Sequence, residues 1–384
     1  MAKAAHAVFQ AQARSRTIGL ILLHHGVFSF GESARSAYDN MLELVGLAEQ
    51  FLESQRAWQL ASSAQAYQWT PTEIVKLRRA LCRAAGLPLV LQLQDTPELR
   101  AFARDQRARE WWDAGPATPQ HAVFVKRRPL FGRDIERYAA EYRDEIAQHR
   151  PGVALQTLGL DPAPRVIVDP QLGVWTASVN AQYAQMTAEI FRHDVEIISR
   201  ASGHDRYAGL PPSAIVDAEI HYGGFEAKAR ARYPQQECLL GEVALIAVDN
   251  DASEMARALA GRGAEVACVA DSFVQGATIQ LTADNTSADA LLRELVRQVG
   301  GLDMLVLGPG WAHWLQACTA LLEEAPRRGR IVLAGSRAWA TATRALITDT
   351  KRLRIEVLEQ PIEENFDRAF VQMCMPRQDA ADTL

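Results

Sequence analysis

Apolar and polar positions alternate irregularly over the first two-thirds of the chain and regularly over the last third. Near the start, Leu20-Ile-Leu-Leu is an apolar strand that runs into a His24-His25-Gly26 corner, and Gly31 ends the turn. Ala34, Ala37, Tyr38, Met41, Leu44, Ala48 and Phe51 then recur at helical spacing, which predicts a helix over 34–52 with one face for burial. Ser33 is placed to cap it. Thr70 and Pro71 mark a second helix start, over 70–85, with threonine as cap and proline at the first helical position. A third helix is expected over 99–113, ending in Trp111-Trp112, a pair read as core or interface packing. Gly115-Pro-Ala-Thr-Pro119 breaks the chain before His121 and an extended stretch over 123–128. Beyond it the pattern predicts a helix over 134–149, a hairpin over 166–175, a long helix over 181–201 and a break at Pro211-Pro212.

From Gly241 onward the pattern becomes periodic. Apolar runs at 243–248, 266–270, 303–307, 331–334 and 355–358 alternate with helical stretches at 253–262, 287–299, 311–324 and 341–349. Strand and helix in strict alternation imply a parallel sheet covered on both faces. Gly261 and Gly263 stop the first of these helices. The fold class expected is therefore α/β, ending in a doubly wound, nucleotide-binding type of sheet.

Composition narrows the class without naming a function. The 384 residues suggest three segments, 1–128, 129–240 and 241–384, and 48% apolar with 23% charged residues is the balance of a globular protein. A net charge of −5 points away from nucleic acid and from an anionic membrane as partner. The five cysteines are scattered and form no CxxC, which favours reduced thiols over a disulfide frame or structural zinc. Residues 1–13 hold no apolar run of signal-peptide type, and no run approaches the roughly 20 residues that span a bilayer. A cytosolic location is the expectation. The basic run Lys126-Arg127-Arg128 is read as a strand end rather than a phosphate site.

Five motifs, in this order, resemble one family. They are Leu22-Leu-His-His-Gly-Val-Phe-Ser-Phe-Gly31, Gly115-Pro-Ala-Thr-Pro-Gln-His121, Pro162-Ala-Pro-Arg-Val-Ile-Val-Asp-Pro-Gln-Leu-Gly173, Gly241-Glu-Val-Ala-Leu-Ile246 and Gly300-Gly-Leu-Asp-Met-Leu-Val306. Over roughly residues 19–370 the chain resembles the C-terminal two-thirds of the bifunctional class II aldolase/short-chain dehydrogenase family, the rhamnulose-1-phosphate aldolase/lactaldehyde dehydrogenase type. The resemblance implies a partial class II aldolase-like segment followed by a Rossmann-like sheet. It also implies zinc and NAD as family cofactors, and a zinc ligand at His25.

Set against that family, both sites are incomplete. A catalytic zinc needs about three protein ligands and an open position. The family supplies two from an upstream HxH element, yet here only His6 and His24 precede His25. On a strand, His24 and His25 face opposite sides. Aldol cleavage would then need another polypeptide to complete the half-site; otherwise His25 is a residual strand-end histidine. In the dehydrogenase half, Val248, Ala252 and Glu254 stand where the family has three glycines. Asp249, Asp251 and Glu254 put carboxylates where a diphosphate should meet a helix start; one like-charge contact at 4 Å costs about 4 kcal/mol at an effective dielectric of 20. Asp271 and Asp284 match the family's ribose and adenine contacts, although ordinary strand-end acids account for both more simply. The Tyr-x-x-x-Lys motif falls on Ala340 and Arg344, and no tyrosine follows Tyr233.

Three readings remain. The leading one is a non-catalytic or partner-dependent subunit linked to sugar-phosphate and deoxy-sugar metabolism, assembled as a homo-oligomer or with a family relative. The second is half of a split zinc aldolase closed by His25. The third is a weak adenine-nucleotide module, or a residual NAD-dependent oxidoreductase, using Asp271 and Asp284.

Overall fold

The computed structural model describes the chain except at residues 1, 24, 204–206, 235–237, 251, 271, 283–286, 348–351, 359–369, 371 and 376–384. The first strand pair is a hairpin of β1 (Gly19–Leu22) and β2 (Gly26–Ser29). The helix Ala34–Ser54 follows, and Ser33 caps it by accepting from the Ser36 backbone N–H at 3.1 Å. The helix lies against the hairpin so closely that a Cβ at Gly19 would stand 2.4 Å from Leu44 Cδ1. The apolar face expected to be buried is nevertheless open. No residue of this helix is buried, and Tyr38, Leu42 and Phe51 are all more than half exposed. A two-stranded hairpin is too narrow to cover a helix of 21 residues.

The middle of the chain folds around a four-stranded sheet in the order β3 (Val90–Gln94), β6 (Gly173–Ser178), β5 (Val166–Asp169), β4 (Leu130–Phe131). β5 and β6 form the expected hairpin, and β3 adds antiparallel to β6. Three helices here begin alike. Thr70, Thr96 and Thr118 each cap a helix whose first residue is proline: Pro71–Ala85, Pro97–Phe102 and Pro119–Val125. That shared start corrects two expectations. The helix expected over 99–113 is two short ones, Pro97–Phe102 and Ala108–Asp113. The stretch expected to be extended from 123 is helical through Val125, because the Thr118-Pro119 start overrides the strand preference of Val123, Phe124 and Val125. Trp112 is fully buried between Phe102 and Phe191, with ring centroids at 6.2 and 5.1 Å, whereas Trp111 is half-buried.

The last third is a six-stranded, all-parallel, Rossmann-like sheet. Its strands are β7 (Val243–Ala247), β8 (Glu265–Val269), β9 (Ile279–Leu281), β10 (Met304–Leu307), β11 (Gly329–Ala334) and β12 (Leu353–Leu358). They run in the order β12-β11-β10-β7-β8-β9, so the direction of winding reverses between β7 and β10. β9 is the strand the pattern does not show. It is three residues long, with Gln280 exposed between Ile279 and Leu281.

The two sheets are joined by a buried ion pair. Arg78, on the helix Pro71–Ala85, is wholly buried and meets Asp303 through Nη2 at 2.7 Å and Nη1 at 3.2 Å. Its remaining N–H groups donate to the Leu89 and Gly241 carbonyls, and Asp303 also accepts from the Val243 backbone N–H at 2.7 Å. Among the described residues no helix is long and apolar enough to cross a membrane.

Candidate functional site

In a parallel sheet of this order, ligands bind outside the carboxyl ends of the strands where the winding reverses. Here that crevice lies beyond β7 and β10. Gly308 closes in on β7, its N–H donating to the Ala247 carbonyl at 2.8 Å, and a Cβ there would stand 3.1 Å from Val248 Cα. The Asp249 side chain turns into the crevice. Its Oδ2 accepts from the Gly310 backbone N–H at 3.4 Å, and Oδ1 lies 2.6 Å from where a Cβ at Gly310 would be. A carboxylate thus takes a backbone donor of the kind that usually faces a diphosphate. Val248 does not take a positive φ, so the backbone at that position lacks the glycine-type bend as well. On the far side, the Trp339 ring packs over Gly335, where a Cβ would meet it at 2.7 Å.

The residues read against the Tyr-x-x-x-Lys motif have structural places. Ser336 caps the helix Arg337–Ala345, accepting from the Trp339 N–H at 3.4 Å. Ala340 is fully buried and Arg344 is exposed. Asp271 and Asp284 lie outside the described residues. The basic run is paired: Lys126 is buried 3.6 Å from Asp161 Oδ1, Arg127 meets Glu145 and Arg128 meets Glu141. Burial pulls the Lys126 ammonium below its ordinary value, against the opposing pull of Asp161.

A second site was not foreseen. His25 sits exposed at the tip of the β1–β2 hairpin and lines a cavity of about 810 Å³ with Thr118, Gln120, His121, Phe124, Glu189, His193 and Tyr222. His121 is fixed by Thr118, which caps its helix and shares a 2.8 Å hydrogen bond with His121 Nδ1. His193 and Asp194 come from the helix Ala181–Ser202, started by Asn180. His121 Nε2 and His193 Nδ1 share a hydrogen bond of 3.2 Å. On its other side, His121 Nδ1 lies 3.5 Å from Asp194 Oδ1.

Asp194 is wholly buried. Its Oδ1 accepts from the Ala117 N–H at 3.1 Å, while Oδ2 has no hydrogen-bond partner among the described residues. Burial raises its carboxyl to about 7, and burial together with neighbouring His193 lowers His121 to about 4. Gly115, at φ 93°, brings the Gly115–Ala117 loop against Leu210; a Cβ there would meet the Leu210 carbonyl at 2.6 Å. The sequence shows His121 and His193 as isolated histidines 72 residues apart. The signal available was the motif ending in His121. Among the described residues no group of three or more His, Cys, Asp or Glu side chains is arranged to hold a metal ion.

Residues 70–228 match the family model described as aldolase class II, second domain. The chain is 21% identical over 290 residues to an uncharacterized oxidoreductase, YuxG, of Bacillus subtilis (strain 168), covering 67% of this chain and 40% of that protein. The chain thus spans well under two-thirds of the length of that relative. Among solved structures, BdcA (YjgI) of E. coli is 20% identical over 31% of this chain and 83% of its own, at a TM-score of 0.24. A short-chain dehydrogenase/reductase from Serratia marcescens BCRC 10948 is 19% identical over 32% and 74%, at 0.25. At such scores the fold rests on the strand order rather than on these likenesses. An aldolase class II second-domain segment and a weak similarity to an oxidoreductase stand together in this one chain.

Proposed function

We propose that this chain is a degenerate member of the bifunctional class II aldolase/short-chain dehydrogenase family. In this reading it serves carbohydrate metabolism as a partner-dependent subunit that no longer transfers hydride. The observation that carries it is the Asp249 carboxylate on the Gly310 N–H, inside the crevice where a dinucleotide diphosphate would sit. Ala340, buried where a catalytic tyrosine would be needed, supports the same reading. The open apolar face of the helix Ala34–Ser54 supports assembly, as a homo-oligomer or with a relative. The test is turnover: the purified chain with NAD and a hydroxy-aldehyde should form no NADH. Turnover would require a proton donor other than tyrosine and would overturn the reading.

A second reading, half of a split zinc aldolase, is favoured by one observation. His25 is exposed at a hairpin tip and lines the same cavity as His121 and His193, so a partner's ligands could reach it. In that reading the chain alone holds no stoichiometric zinc after dialysis, and zinc binds when the partner is added. One tight zinc per isolated chain, lost in His25→Ala, would contradict the need for a partner.

A further inference from the structure

We propose that Asp194, His121 and His193 form a proton relay opening through His193 into the cavity, and that the cavity takes a neutral hydroxyl- or carbonyl-bearing molecule rather than a phosphate ester. This goes beyond the function proposed above and uses none of the crevice residues. Three observations carry it. The three side chains stand in line: His121 and His193 share a hydrogen bond of 3.2 Å, and Asp194 Oδ1 lies 3.5 Å from His121 Nδ1, which is hydrogen-bonded to Thr118. The relay is also graded in exposure: Asp194 is wholly buried, His121 is 5% exposed and His193 is exposed on the cavity wall. Among the described residues Asp194 Oδ2 has no hydrogen-bond partner although it is buried, which is unusual for a polar atom without a task.

The lining decides the ligand class. Among the described residues it holds no lysine or arginine, and its carboxylate, Glu189, repels an anion. Gln120, Thr118 and Tyr222 offer hydrogen bonds to hydroxyl groups, and Phe124 offers an apolar face beside them. Glu189 lies one turn before His193 on the same helix, and Tyr207 stands behind the loop, its hydroxyl donating to the Gly115 carbonyl at 2.9 Å.

The proton path balances. When a ligand hydroxyl gives its proton to His193 Nε2, His193 Nδ1 passes its own to His121 Nε2. His121 Nδ1 then gives up its hydrogen bond with Thr118 and passes a proton to the Asp194 carboxylate across the 3.5 Å contact, which must shorten for that transfer. The ligand O–H bond breaks, a carboxylic O–H bond forms, and the negative charge moves from Asp194 to the ligand oxygen. The reverse sequence returns the proton. His193 is the residue that touches the ligand; His121 and Asp194 are positioning residues that set its tautomer.

The test uses the full chain with ¹⁵N-labelled histidine and long-range ¹H–¹⁵N spectra, which report the tautomer of each imidazole. His121→Gln and His193→Gln assign the two signals. Dihydroxyacetone at millimolar concentration should shift both imidazoles together, and dihydroxyacetone phosphate should bind weaker by on the order of tenfold or more. Asp194→Asn keeps the shape but takes no proton, so it should change the His121 tautomer and abolish the coupled shift. A merely structural Asp194 would leave the tautomer unchanged, and that result overturns the relay. No shift with the neutral probe, or tighter binding of the phosphate ester, overturns the ligand class. If Asp194→Asn does not fold, the unmodified chain still decides, because two imidazoles responding independently to the probe would exclude a relay.

Discussion

At the scale of single residues, the account turns on where two carboxylates sit. Asp249 faces a backbone N–H in an open crevice, whereas Asp194 is sealed inside with one oxygen unpartnered among the described residues. The second has a consequence for stability. Its folded-state value near 7 lies above the ordinary 3.8, so between those values the native chain holds a proton that the unfolded chain has released. Stability from this group is then lost as pH rises toward 7. His121, lowered to about 4 from 6.5, acts in the opposite sense, and the two largely offset each other from about pH 4 to 6.5. Asp194→Asn removes the first effect alone and retains an acceptor for the Ala117 N–H. Its stability relative to the unmodified chain should therefore grow from about pH 4 to pH 7, by up to about 1.4 kcal/mol per unit, and level off above. Urea midpoints across that range measure it. A constant difference would mean that Asp194 keeps an ordinary carboxyl value.

At the scale of elements, much of the fold was legible because the chain repeats a few local devices. Ser33, Thr70 and Ser287 start their helices as caps, and Gly86 and Gly300 end theirs in left-handed conformations. Five of the six strands of the parallel sheet overlap an apolar stretch of the sequence, even where Glu265, Arg330, Arg354 or Glu356 interrupts or flanks it; β9 is too short for such a stretch to register. The site was less legible, because its parts meet through packing that no local pattern encodes. His121 and His193 are brought together by two helices, and one of them was read as extended from Val123 on its β-branched and aromatic residues alone. The Arg78–Asp303 pair is of the same kind, since its partners lie 225 residues apart and hold the two sheets together. Arg78→Ala leaves Asp303 buried without its cation and should cost about 3–5 kcal/mol. The double variant with Asp303→Ala should cost less than the sum of the two single changes. Additive losses in denaturant unfolding would show that the pair is not coupled.

At the scale of the whole molecule, a second-domain match over residues 70–228 is followed by a parallel sheet beyond whose β7 and β10 the Asp249 carboxylate accepts from the Gly310 N–H. The open face of the helix Ala34–Ser54 fits the same picture, because its apolar residues lack cover within the chain. The relative it resembles is much longer, of which this chain spans 40%. Loss of dinucleotide binding is the claim on which the proposed role depends. Calorimetric titration of the unmodified chain with NAD(H) tests it most directly. With the Asp249 carboxylate on the Gly310 N–H, no binding tighter than the millimolar range, about −4 kcal/mol, is predicted. Micromolar binding would contradict the account, because the diphosphate would then have displaced Asp249 from the Gly310 N–H.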